Sequence, residues 1–207
     1  MRPLTVLAGL AGFGFLVLLS SLCPQRTAAS TTPTTTAELR QLALSSNDLP
    51  GFRQVAEDVP GGEGIMQATF GEQFVLLDAT GQVTARVGVL LLAPFDMVDE
   101  SRLQALVTDG ELYAGVRDSP NFMLTSPLSV SGLDQPASWN NRNARTGARF
   151  TSYAETFLDG RIVAHLIYEA PADSADPAFI VHLAQLQQQR LCDAGAADAF
   201  MGRQPWG

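Results

Sequence analysis

Two histidines, His165 and His182, are the whole stock of imidazole in a chain of 207 residues, so metal or acid–base chemistry at neutral pH would have to be built around them. Neither has a cysteine or a second histidine at the close spacing of a zinc motif, and the sequence predicts no metal site and no cofactor. Serine, histidine and acid are all present, but no Gly-x-Ser-x-Gly elbow places a serine for attack. All 13 basic residues are arginine. Without lysine there is no Schiff-base chemistry, no Ser-Lys dyad and no Walker A phosphate loop. The expectation is a protein that is not an enzyme. A hydrolase, the remaining alternative, would need His165 or His182 to meet an acid and a nucleophile in one cleft.

One local concentration of positive charge stands out, "WNNRNARTGARF" from Trp139 to Phe150, with Arg142, Arg145 and Arg149 close to Trp139. Guanidinium forks bind planar oxyanions through paired hydrogen bonds, so this segment is the candidate site for a carboxylate, sulfate or lipid headgroup. A solvated hairpin tip is the plainer explanation of the same residues. The acidic stretches "DMVDE" and "DSAD" lack the alternating ligands and central glycine of a calcium loop. They read as a helix start and a loop. The whole chain carries a formal charge of −8. An acidic surface repels phosphate backbones, and nucleic acid is excluded as a general partner.

The N-terminus decides the compartment. Pro3 to Leu22 contains no charged residue, and Arg2 precedes it. Twenty helical residues reach about 30 Å, the thickness of a hydrocarbon core, so length alone does not separate a cleaved signal from an anchor. Gly9, Gly12 and Gly14 interrupt the run, and Thr27-Ala28-Ala29 offers the small side chains that a signal peptidase reads. Cleavage after Ala29 would remove Cys23 and leave Cys192 as a lone, half-buried thiol. It would also leave 11 basic residues against 21 acidic ones, a charge of −10. Acylation of Cys23 is the lipoprotein alternative, but bulky Leu22 stands where that signal needs a small residue. An uncleaved tether through residues 3–22 is the third. Each fate puts Glu38 onward outside the cytoplasm, either secreted or periplasmic, or anchored facing outward.

The elements that must position these groups follow from periodicity. Leu39, Leu42 and Ala43 share a helical face in Ala37–Ser45, with Thr36 as the expected cap. After "NDLPGF", Phe52 to Ala56 alternates as a first strand. Ile65–Leu77 and Val83–Pro94 are strands joined by "DATGQ", the second apolar enough to be central. A helix is expected to open at Asp96 with Leu103, Leu106 and Val107 buried. Strands follow at Phe122–Val130, Ala137–Asn143 and Arg149–Leu158. Asp159-Gly160 is the expected two-residue turn into "RIVAHLIYEA", where His165 shares a face with Val163 and Ile167. Pro177 opens a last helix to Leu191, with Ile180, Leu183, Ala184 and Leu191 on one face and His182 on the polar side.

The order of helices and strands predicts an α+β fold, an antiparallel sheet packed between a few helices. "LPGF" at Leu49–Phe52, the Gly-Leu-Asp segment at Gly132–Asp134, the hairpin ending in "RIVAHLIYE" and the closing "DPAFIVHLAQLQQQRL" resemble exported bacterial proteins and lipoproteins with a PsbP-like domain. That resemblance, over most of residues 38–191, implies a PsbP-like sandwich with an accessory or sensing role and carries no catalytic residues. The organisation expected is a signal or anchor at 1–29, a Thr/Pro-rich linker at 30–36, a single domain at 37–192 and a loose tail at 193–207. The function expected is that of an extracytoplasmic, non-catalytic domain binding a protein or small ligand. Its alternative is a carrier holding a small apolar or anionic molecule between sheet and helices.

Overall fold

The computed structural model describes residues 33–57, 64–108, 137–143 and 150–201, with the backbone alone for 56–57, 108, 137–143, 150 and 195–201. Among them lie six strands and three helices. In chain order they are α1 (Thr36–Leu42), β1 (Arg53–Glu57), β2 (Met66–Leu77), β3 (Val83–Pro94), α2 (Glu100–Thr108), β4 (Ala137–Asn143), β5 (Phe150–Asp159), β6 (Ile162–Pro171) and α3 (Pro177–Met201). The strands form one sheet in the order β1-β2-β3-β6-β5-β4, and every neighbouring pair is antiparallel. The fold is α+β, as the element order requires. The strand expected at Phe122–Val130 lies outside the described residues.

Alternation along the strands sorts the side chains into two cores. Phe70 and Phe74 of β2, Val87, Val89 and Leu91 of β3, Leu166 of β6 and Phe157 of β5 meet Leu39 of α1 and Ile180, Leu183 and Leu191 of α3. On the opposite face, Leu92, Leu158 and Val163 meet Leu103, Leu106 and Val107 of α2. Each large side chain buried in this way contributes about 1.5–3 kcal/mol. β3 and β6 pair from Arg86 opposite Glu169 to Leu92 opposite Val163, at the centre of the sheet, as the apolar run of β3 requires.

Local chemistry sets the element ends, and several differ from the sequence expectation. The cap of α1 is Thr35, not Thr36: its hydroxyl accepts from the Glu38 amide at 3.2 Å, and the Glu38 carboxylate accepts from the Thr35 amide at 3.1 Å. These two bonds form a capping box that fixes the first turn. The helix stops at Leu42 instead of Ser45, because the Asp48 carboxylate takes the Ser45 amide at 2.7 Å into a turn. α2 starts at Glu100, not Asp96. Residues 95–98 make a separate turn, with the Val98 amide bonded to the Phe95 carbonyl at 3.0 Å, and Asp99 caps the helix by accepting from the Arg102 amide at 2.8 Å.

The β5–β6 turn is also shifted by one residue. Asp159 still pairs with Ile162, so the central residues are Gly160 and Arg161. Gly160 has φ +59°, at the first central position, where a type II′ turn favours glycine. α3 runs to Met201 where a loose tail from residue 193 was expected. The alanines after Cys192 have high helix propensity, and the single Gly195 costs about 1 kcal/mol, too little to end the helix.

The join between α1 and α3 is made by hydrogen bonds rather than by area. Gln187, fully buried on α3, accepts from the Leu44 amide at 3.0 Å and donates to the Leu42 carbonyl at 2.8 Å. It thus satisfies backbone groups that the end of α1 leaves open. Beside it, Arg190 grips both oxygens of Asp48 at 2.8 and 2.7 Å. Partial burial works against ionisation of Asp48, but hydrogen bonds from Arg190 and Ser45 outweigh it and hold the carboxyl below its usual range. A partly exposed pair of this kind contributes about 1 kcal/mol or less. Removing Gln187 would strand a buried donor and a buried acceptor, at about 1–3 kcal/mol each. Gln187→Ala is therefore expected to lower unfolding free energy by about 3 kcal/mol, and Asp48→Asn by no more than about 1. Urea denaturation of the two variants beside the wild type measures both.

Candidate functional site

The described surface has its most exposed apolar side chain at one end of the sheet, where β2 begins, β3 ends and the β5–β6 hairpin turns. Met97 is 89% exposed there and Phe95 39%. Between this turn and the start of α2 lies an open pocket of about 230 Å³, lined by Gly64, Ile65, Phe95, Met97, Val98, Asp99 and Arg102. Its walls are mainly apolar, with a carboxylate and a guanidinium at the rim. The Phe95 amide bonds to the Ile65 carbonyl at 3.0 Å, which ties the turn to the opening of β2.

Arg161 stiffens the turn from the hairpin side. Its Nη2 donates to the carbonyls of Phe95 at 2.9 Å, Val98 at 2.8 Å and, at a longer 3.4 Å, Asp96. A turn that would otherwise present solvated carbonyls has them gathered onto one cation, and the apolar side chains are left facing outward. Nothing near Arg161 in sequence announces this role, since its partners lie more than sixty residues earlier. The sequence predicts Asp96 as the opening residue of a helix, whereas it lies in this turn.

The residues singled out for chemistry are dispersed. Trp139 and Arg142 lie in β4, opposite Ala154 and Thr151 of β5. Three residues apart in one strand, those register positions fall on opposite faces of the sheet. Arg145 and Arg149 lie outside the described residues, as do Cys23 and the apolar run at 3–22. His165 is buried on the sheet face away from α3, and its Nδ1 lies 2.9 Å from the Thr156 hydroxyl. Burial pushes its pKa down to about 4, so at neutral pH it is an uncharged core group. His182 is exposed on α3, across the sheet from His165. The two imidazoles do not share a cleft. Among the described residues no group of three or more His, Cys, Asp or Glu is placed to hold a metal.

Cys192 departs from the free thiol that cleavage after Ala29 would leave: it is disulfide-bonded and 8% exposed. Asp159 closes in on it, with Oδ2 3.8 Å from Sγ. Among the described residues no helix is long and apolar enough to cross a membrane.

One titratable group escaped the sequence reading. Glu155 is fully buried on β5, on the α3 side of the sheet and opposite Leu166 of β6. Neither of its carboxylate oxygens has a hydrogen-bond partner among the described residues. Loss of hydration raises its pKa to about 8, so near neutral pH it is mostly a neutral carboxylic acid. The signal was legible in "TSYAETFL", where period-2 alternation puts Glu155 on the same face as Tyr153 and Phe157.

No protein-family model matches the sequence, and a search of characterised proteins found no match. Among solved structures, LpqN, involved in cell envelope biogenesis of Mycobacterium tuberculosis, aligns with 71% of this chain and 95% of its own. The two are 11% identical, with a TM-score of 0.38.

Glu155 and His165 act on stability in opposite senses. Between pH 4.5, the ordinary glutamate value, and about 8, the folded chain keeps a proton on Glu155 that the unfolded chain has lost. Stability therefore falls as pH rises through that window, by up to about 1.4 kcal/mol per unit. Between about pH 4 and 6.5 the unfolded chain holds a proton on His165 that the folded chain lacks. There stability rises with pH at a similar slope. The two slopes offset one another from 4.5 to 6.5, and Glu155 acts alone from 6.5 to 8. Glu155→Gln is expected to abolish the decline above pH 6.5 and to uncover the rise below it; urea midpoints measured across pH 4–8 test this. Arg161→Ala is expected to cost about 2 kcal/mol. It should also accelerate amide hydrogen exchange at Phe95 and Val98 more than at Leu166, as read by exchange mass spectrometry.

Proposed function

We propose that this chain is an exported, non-catalytic domain that binds a protein partner outside the cytoplasm through the Phe95–Val98 turn and the pocket beside it. The observation that carries the proposal is Met97, 89% exposed, on a turn whose carbonyls are held by Arg161. A large apolar side chain presented by a stiff loop loses little conformational freedom on binding, and so favours association. Export rests on the uncharged run from Pro3 to Leu22. The PsbP-like resemblance agrees with this role, since it implies an accessory or sensing protein with helices on both faces of an antiparallel sheet.

A protein partner is favoured over an enclosed ligand on grounds of volume. The space between the sheet and the α1/α3 layer is occupied by Phe70, Phe74, Phe157, Leu39 and Ile180. The pocket at the turn, about 230 Å³, falls short of the roughly 300–1,000 Å³ of a typical small-molecule site.

A photo-crosslinking residue introduced at Met97 in the native host tests the proposal. A discrete protein adduct is expected from position 97 and none from Asp173, an exposed control in the β6–α3 connection. Identical adduct patterns at the two positions, or no adduct at position 97, would overturn it.

A further inference from the structure

The described side chains include two methionines in very different surroundings. Met66, the first residue of β2, is partly buried and packs against the cluster that holds Leu92, Val98 and Leu103. Met97 is 89% exposed. A thioether is a soft nucleophile, and how fast it is oxidised depends on how easily an oxidant reaches the sulfur. Arg161 binds the carbonyls of Phe95 and Val98, on either side of Met97, and Val98 itself is buried. The turn is therefore shaped by its backbone and by Val98. The Met97 side chain is left open to solvent.

We propose that Met97 is a reversible sulfoxidation site and that its oxidation switches off docking of a protein partner; the second half rests on the Phe95–Val98 turn being the docking surface. In the forward step the sulfur lone pair attacks one oxygen of a hydroperoxide and the O–O bond breaks. The proton passes from the transferred oxygen to the leaving one, which departs as water or an alcohol. Sulfur is oxidised by two electrons and the peroxide is reduced by two. The return step takes two thiols of a stereospecific sulfoxide reductase, which become a disulfide while the oxygen leaves as water. Oxidation turns a flexible apolar side chain into a polar, chiral one, beside a wall of Ile65, Phe95 and Val98. A partner surface that accepts the thioether would then have to strip water from the sulfoxide oxygen without replacing its hydrogen bond. The bonds to Arg161 involve only backbone carbonyls, so the change is confined to the surface.

Hydrogen peroxide treatment of the chain purified from its host, with a photo-crosslinking residue at Phe95, tests the proposal. After removal of the peroxide the protein is returned to the host's envelope fraction and irradiated, and peptide mass spectrometry reads the sulfoxide at each methionine. Met97 is expected to convert about tenfold faster than Met66. The protein adduct is expected to fall by about tenfold or more as Met97 converts, and a mixture of the two stereospecific reductases to restore it. The melting temperature should stay within about 2 °C of its starting value. Met66→Leu, outside the turn, should lose and regain the adduct in the same way. Equal conversion of the two methionines, an adduct that survives full conversion of Met97, a loss that the reductases do not reverse or that Met66→Leu prevents, or a larger drop in melting temperature would each overturn the proposal. No adduct from the untreated chain overturns docking at the turn, and the switch with it, whatever the conversion rates.

Discussion

The pairing of β3 with β6 is the interaction on which the rest of the structure depends. It joins β1-β2-β3 to β6-β5-β4 across the middle of the sheet, with Arg86 opposite a residue more than eighty positions later. Closing so long a loop carries an entropic cost that must be met by burial on both faces. Both strands meet it: Val87, Val89 and Leu91 of β3 and Ala164 and Leu166 of β6 face α1 and α3, while Leu92 and Val163 face α2. A register slip of one residue would exchange the two faces. A slip of β3 would drive Arg86, now paired with Glu169 across the strands at 3.9 Å, into the α1/α3 core.

Around that pair the helices are held by different means. α2 is secured by its apolar stripe, and its approach is set by the turn that Arg161 pulls against the hairpin. α1, only seven residues long, is too short to persist in water alone. It exists because Gln187 and Arg190 of α3 capture the backbone at its C-terminal end. The same few bonds bring α1 beside the middle of α3.

The buried polar groups divide along chemical lines. Gln187 is fully used by the backbone it binds, and His165 is neutral with a hydroxyl partner. Among the described residues Glu155 has neither an ion nor a hydrogen-bond partner, and it is tolerated because it keeps its proton. Exposed Met97 and the rim of Asp99 and Arg102 stand at the sheet end where the turns cluster. Loops on a rigid sheet are where recognition surfaces are usually carried.

Strand positions and the faces of α2 and α3 were determined by the sequence itself, because period-2 and period-3.6 burial needs no knowledge of the partner surface: "VTARVGVLLLAP" is a central strand wherever it is placed. The burial of Glu155 was written in the same alternation, although its missing partner was not. The ends of elements were less legible. Thr35 and Thr36 are chemically alike, and only the reach of Glu38 chooses between them; Asp96, Asp99 and Glu100 all suit a helix start, and only the turn tied to Ile65 and Arg161 selects Asp99. The compartment argument also lives in sequence, in one uncharged run. Tertiary structure alone decided which distant groups meet: Arg161 with Phe95 and Val98, Gln187 with Leu42 and Leu44, Asp159 with Cys192. Such meetings depend on how strands order themselves in space, and residues more than thirty positions apart leave no periodic trace of one another along the chain.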